Sequence, residues 1–177
     1  MDVRLGHLLM EQGLLTAQQA EQILAEQRRS GKPFGVLCER MFNVDPKAVE
    51  EAWAAQYAKI SRTVNPLHES IEARALELVT RRQAWQFRVL PMRFDGPDLM
   101  MATTQRHLRR ALRFATSVLG VPVYLVLAEP RNLGEALCRH YPMVGMTPES
   151  VDDDRLEQLV RRAKKPGIEK TRQAHVR

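Results

Sequence analysis

Residues 4–27 read RLGHLLMEQGLLTAQQAEQILAEQ, and residues 33–56 read PFGVLCERMFNVDPKAVEEAWAAQ. The second stretch is a looser copy of the first, displaced by 29 positions. Leu5/Phe34, Gly6/Gly35, Leu9/Cys38, Leu15/Val44, Ala20/Val49, Leu24/Trp53 and Gln27/Gln56 fall in register. Self-similarity at a fixed period means one supersecondary unit used twice. A unit used twice can also present two related surfaces to a ligand that is itself two-fold symmetric.

Helical spacing runs through both copies. Leu5, Leu8, Leu9 and Gln12 share a face, and Gly13 suits the left-handed position that ends a helix. Thr16 with Gln19 three residues on makes a capping box, which predicts a helix through about residue 28. Gly31-Lys32-Pro33 breaks the chain, and a third short helix is expected over residues 34–41. Asp45-Pro46, an N-cap followed by proline at the first helical position, starts a fourth that runs to about residue 58. Residues 1–60 therefore read as a tandem-repeat four-helix subdomain.

Beyond the repeat the pattern changes. Residues 61–69 (SRTVNPLHE) have no clear period and read as a linker. Residues 70–79 and 81–86 look helical, with Thr80 available as a cap. Residues 87–94 (FRVLPMRF) and 99–103 flank Asp95-Gly96-Pro97-Asp98, a hairpin connection. Residues 105–119 place apolar and basic residues at helical spacing, and residues 121–127 are apolar and β-branched, as in a buried strand. Glu129-Pro130 leads into a last helix to about residue 140. Helix, strand, strand, helix, strand, helix over residues 70–141 predicts a small α/β subdomain with a three-stranded sheet, and so an α+β chain. Residues 142–177 lose apolar density and are expected to be a tail, with one short helix over 152–163 and a disordered end.

Apolar content of 44% and charged content of 27% are ordinary for a globular protein of 177 residues. The longest apolar run, residues 118–128, is broken by Gly120 and Pro122 and is too short to cross a bilayer. The first residues carry no charged leader followed by an apolar stretch, and Cys38 and Cys138 lie far apart. A cytoplasmic chain with reduced thiols is expected. The net charge of +6 is uneven: residues 1–60 hold 7 Lys and Arg against 8 Asp and Glu, whereas residues 61–177 hold 20 against 13. A basic surface favours anionic partners without naming one.

Three features of the first copy exceed what a helical hairpin needs. Arg4 precedes a Leu5-Gly6 pair at a helix start, where a guanidinium can fork onto a phosphate or onto the O6/N7 edge of guanine. Gly6 lets backbone N–H groups approach an anion closely. Gln27 offers an amide with donor and acceptor, suited to a base edge. Between them Leu9, Met10, Leu14 and Leu15 form an apolar bed on which a purine could lie. A plainer reading stands beside this one: Gly6 and Gly13 as packing and capping residues, the leucines as core, Arg4 as a solvated charge and Gln27 as a helix-surface amide.

Arg4-Leu5-Gly6, Leu9-Met10, Gly13-Leu14-Leu15, Leu24 and Gln27 resemble the 24-residue motif of the MshEN domain. That is the N-terminal domain of type II secretion and type IV pilus assembly ATPases, found attached to other modules as well. Residues 33–56 resemble the second copy of the motif, after the spacer 28–32, and the likeness continues through Phe87-Arg88-Val89-Leu90-Pro91 and Asp95-Gly96 to about residue 141. The first motif is the specific part; the α/β part is weaker in sequence. The resemblance implies binding of cyclic di-GMP, a two-fold symmetric dinucleotide, with each motif gripping one half. On that analogy Arg4, Leu5, Gly6, Leu9, Met10, Gly13, Leu14, Leu15, Leu24 and Gln27 form the stronger half-site. Phe34, Gly35, Cys38, Val44, Trp53 and Gln56 form the other.

The second copy departs from the first where a ligand would notice. Pro33 stands in register with Arg4, Glu39 adds a negative charge, Phe42 replaces the helix-ending glycine and Asn43 replaces an apolar residue. One lost charge-assisted contact costs on the order of 1.5–3 kcal/mol, roughly ten- to a hundredfold in affinity. Asn43 can adopt the left-handed conformation itself, which would keep the turn one residue later.

No enzyme is expected. The sequence lacks a GxxxxGK[ST] phosphate loop, and no serine or cysteine sits in a nucleophile motif. No metal site is expected either: His7, His68, His107, His140 and His175 have no ligand spacing, and Asp152-Asp153-Asp154 lacks the glycine and glutamate of a calcium loop. Arg106, Arg109, Arg110 and Arg113 recur at helical spacing and, with Arg81, Arg82, Arg88 and Arg93, face only Asp95 and Asp98 within residues 81–113. This is either a solvated face or a docking surface for an acidic or membrane-anchored partner. Few aromatics are available to stack bases, so nucleic acid ranks lowest. The sequence thus predicts a cyclic di-GMP receptor that signals to a partner protein. The alternative is a nucleotide-independent docking module of a secretion or pilus system.

Overall fold

Gly13 adopts φ 70° and closes the first helical turn of the structure, a computed structural model that describes residues 9–47, 49, 50, 54, 57 and 61–153. Residues 9–11 are helical, and the N–H groups of Leu14 and Leu15 both donate to the Leu9 carbonyl, at 3.0 and 3.3 Å. Helix α1 (Ala17–Ser30) begins at the expected capping box. The Thr16 hydroxyl accepts from the Gln19 N–H at 3.2 Å, and Gln19 Oε1 accepts from the Thr16 N–H at 2.8 Å. Left-handed Gly31 (φ 64°) ends it, donating to the Gln27 carbonyl at 2.8 Å. Helix α2 (Phe34–Phe42) follows, and positions 46, 47, 49, 50, 54 and 57 are helical. Asp45 Oδ1 accepts from the Lys47 N–H at 3.0 Å, the capping role read from Asp45-Pro46.

Two backbone hydrogen bonds of the first stretch recur 29 positions later. Leu15 N–H to the Leu9 carbonyl recurs as Val44 N–H to the Cys38 carbonyl, both at 3.3 Å. Ala20 N–H to the Thr16 carbonyl (3.0 Å) recurs as Val49 N–H to the Asp45 carbonyl (3.1 Å). The left-handed residue moves from Gly13 to Asn43 (φ 55°), one place beyond strict register. Phenylalanine in register with Gly13 would be strained there, whereas asparagine tolerates that conformation.

The second half carries α3 (Ala73–Leu76), α4 (Arg81–Phe87), β1 (Leu90–Asp95), β2 (Asp98–Thr103), α5 (Leu108–Ser117), β3 (Val123–Leu127) and α6 (Pro130–His140). A 3-10 turn (Gln105–His107) precedes α5, and another (Pro148–Val151) follows α6. The sheet runs β1-β2-β3, with β1 antiparallel and β3 parallel to β2. The chain is therefore helical with a three-stranded mixed sheet. Helix α5 is the crossover between the two parallel strands, as a parallel pair requires. Central strand β2 is buried along its whole length, so Leu99-Met100-Met101-Ala102 reads as a continuous apolar run without alternation.

Four details differ from the sequence reading. The helix expected over residues 70–79 shrinks to Ala73–Leu76, because the Glu72 N–H is tied to the Met92 carbonyl of β1 at 2.7 Å. Strand β1 starts at Leu90: Phe87 completes α4, stacking on Phe114 at 4.5 Å between centroids, and Arg88 turns left-handed (φ 54°). Residues 61–69 include a piece of sheet. Thr63 bridges Leu127, with Val64 N–H on the Leu127 carbonyl (2.8 Å) and Leu127 N–H on the Arg62 carbonyl (3.0 Å). This covers the outer edge of β3, which would otherwise expose unpaired backbone groups.

The fourth difference lies past Tyr141, where a tail was expected. Residues 142–153 pack back onto the body: Val151 is fully buried, and a Cβ at Gly134 on α6 would collide with the Pro148 backbone. Residues 154–163 of the helix expected over 152–163 lie outside the described residues. Among the described residues, no helix is long and apolar enough to cross a membrane.

Candidate ligand cradle in the tandem repeat

Within the first copy, Leu9 and Leu15 are core residues, packed with Ile23 of α1. Met10, Leu14 and Leu24 are half-buried, Leu14 and Leu24 packing against the core, and Gly13 is exposed. In the second copy Phe34, Gly35 and Cys38 are buried and Val44 is half-buried. Arg4, Leu5, Gly6, Trp53 and Gln56 lie outside the described residues.

Gln27 is the informative side chain. It follows Ala20 and Ile23 on the buried stripe of α1 at helical spacing and is 0% exposed. Neither its Oε1 nor its Nε2 has a hydrogen-bond partner among the described residues. It is therefore not the helix-surface amide of the plainer reading. A buried polar group left unpaired costs about 1–3 kcal/mol. An amide presents a donor and an acceptor side by side, the complement of a base edge or another amide.

Gly35 makes a contact outside the repeat. A Cβ there would lie 3.0 Å from the Thr116 carbonyl oxygen, so the bare backbone lets α2 approach α5. Burial pushes the Cys38 thiol up to about 12, which keeps it protonated and unreactive. Glu39 stays exposed on α2.

Of the arginines of residues 81–113, Arg81, Arg82, Arg106, Arg109 and Arg113 are exposed, Arg93 and Arg110 half-buried and Arg88 buried, and several have partners within the chain. Arg88 is buried and donates from Nε to the Val151 carbonyl (3.0 Å) and from Nη2 to the carbonyls of Ser150 (3.0 Å) and Asp153 (3.4 Å). Arg93 bridges Glu69 (2.7 Å) and Asp95 (3.1 Å). The Tyr124 hydroxyl donates to Asp95 and, with Arg93, holds that carboxyl below its usual range. Arg106 donates to the Asp152 carbonyl, Arg110 to the Gln86 carbonyl, and Arg113 forks onto Glu50 with both bonds at 2.9 Å. None of these internal roles was legible in the spacing; for Arg88 the only local cue is a charge between Phe87 and Val89, at the join of a helix and a buried strand.

His107 Nδ1 meets the Thr104 hydroxyl at 2.8 Å. Burial, reinforced by Arg88, Arg110 and Arg106, lowers its pKa to about 4, so the imidazole is neutral at pH 7. Among the described residues no three of His, Cys, Asp and Glu gather as metal ligands. A separate cleft of about 470 Å³ lies beyond the ends of β2 and β3, lined by Thr63, Thr104, Arg106, Leu127, Glu129 and Pro130 among others. No residue singled out in the repeat lines it.

The description of the MshEN domain matches residues 59–147 of this chain. The chain belongs to the MshEN family. The match falls on the α/β half, whereas the sequence reading found the repeat to be the more specific part. Type IV pilus assembly ATPase PilB of Myxococcus xanthus (strain DK1622) is 24% identical over 154 residues, covering 87% of this chain. The chain spans about a quarter (27%) of the length of that curated relative. Two solved structures are similar at low identity. A structure of MshE with cdg is 22% identical, covering 79% of this chain and all of that one, with a TM-score of 0.40. The N-terminal domain of XpsE is 19% identical, covering 78% and 94% of the two chains, with a TM-score of 0.38.

Proposed function

We propose that this MshEN chain is a cytoplasmic receptor for cyclic di-GMP, with one half of the dinucleotide on each copy of the repeat. The observation that carries the reading is Gln27, a desolvated amide without partners among the described residues, in the same copy as the half-buried Met10, Leu14 and Leu24. A guanine edge would supply the missing donor and acceptor, and a purine face would cover those apolar side chains. Arg4, Leu5 and Gly6 would add the phosphate contacts, and Phe34, Gly35, Cys38, Val44, Trp53 and Gln56 the weaker half. Family membership supports the same reading.

Binding, not catalysis, is the role. The ligand would hold the two copies together, and the clamped repeat would alter the surface offered to a partner protein, in a secretion or type IV pilus setting. The test is titration calorimetry of the chain and of Arg4→Ala with cyclic di-GMP. A saturable wild-type isotherm is expected, weakened at least tenfold in the variant. No heat from the wild type, or an unchanged isotherm from Arg4→Ala, overturns the assignment and favours nucleotide-independent docking.

A further inference from the structure

The second copy is fastened to the α/β half. Three contacts hold it and its preceding spacer there, and all three fall on α5 or the loop after it. Gly120 sits so close to the Gly31 carbonyl that a Cβ would collide with it. Gly35 packs on the Thr116 backbone. Arg113 forks onto Glu50, whose side chain is only 9% exposed. The residue in register with Glu50 in the first copy is Glu21, and it is exposed on α1.

We infer that Arg113 is a positioning residue for the ligand cradle, acting through Glu50 to set where the second copy stands relative to the first. This rests on the cyclic dinucleotide reading, because a ligand gripped at both ends is sensitive to the separation of its two half-sites. An exposed arginine paired with an exposed carboxylate would matter little. Here the carboxylate is largely buried, so removing its partner leaves a desolvated charge on the second helix of the copy. Thr116 and Gly120 lie on the same side of the chain reversal, so α5 and the following loop act as one brace. None of the three belongs to the repeat.

The test combines a charge swap with two readouts on the full chain. Arg113→Glu places like charges together, and Glu50→Arg with Arg113→Glu restores the pair reversed. Calorimetry with cyclic di-GMP should show roughly tenfold weaker binding in Arg113→Glu, recovered to within about threefold in the double variant. Hydrogen exchange without ligand should show faster exchange across residues 34–42 in Arg113→Glu, again recovered by the swap. Wild-type affinity in Arg113→Glu, or a loss that the swap does not recover, overturns the inference. Unchanged exchange over residues 34–42 overturns it too. If the wild type binds no cyclic di-GMP, the receptor assignment falls, and exchange with its recovery alone decides whether α5 positions the second copy.

Discussion

Replacing Arg88 with methionine removes a buried side chain that ties residues 150–153 to the body of the protein. Arg88 is 2% exposed, adopts a left-handed backbone and donates to three carbonyls of residues 150–153. The bond to Val151 is buried and charge-assisted, worth about 1.5–3 kcal/mol; those to Ser150 and Asp153 are partly buried, together on the order of 1–2 kcal/mol. These figures are already net of the water each group gives up on folding. Methionine keeps most of the packing and all of the left-handed strain. The expected loss is about 2.5–5 kcal/mol, a large part of the ~5–15 kcal/mol that holds a typical domain folded. Urea denaturation followed by tryptophan fluorescence reads the global term, since Trp85 is buried and its Nε1 donates to the Tyr141 carbonyl. Hydrogen exchange over residues 142–153 reads the local one. A variant within about 0.5 kcal/mol of wild type, with unchanged exchange in that segment, refutes the idea that Arg88 holds it.

Two further outcomes follow from named groups. Gln27→Leu should raise stability by about 1–2 kcal/mol, because it replaces an unpaired buried amide with an apolar side chain of similar size, while cyclic di-GMP binding falls at least tenfold; a destabilised variant would show that the amide has a structural partner. His107 is held neutral, with a folded pKa of about 4 against about 6.5 unfolded, so below pH ~6.5 the unfolded chain binds the extra proton. Stability should therefore fall as pH drops from about 6.5 to 4, by up to ~3 kcal/mol, and His107→Gln should flatten that slope in urea titrations at stepped pH.

Much of the fold was legible because its signals are local. The Thr16–Gln19 and Thr80–Gln83 boxes involve residues three apart, and both form as read. Asp95-Gly96-Pro97-Asp98 makes the hairpin because Gly96 supplies the positive φ the turn requires. The left-handed Asn43 was legible from side-chain chemistry alone. What escaped was set by partners distant in sequence. Residues 61–69 have no period because they contribute a single bridge to Leu127, and one bridge leaves no alternation to read. Residues 142–153 carry few apolar side chains because they are held mainly by arginine-to-carbonyl bonds and by the cleft at Gly134, neither of which hydropathy registers.

The candidate site shows the same division more sharply. Register between the two copies treats Gly6 and Gly35 as equivalents, and nothing within residues 33–56 distinguishes them. Thr116, in the other half of the chain, takes the open side of Gly35 for a helix contact. Glu50 and Glu21 are likewise alike in register and unlike in place: one is buried against Arg113, the other faces solvent. Two stretches alike in register are thus set apart by partners in the other half of the chain, which the register does not carry.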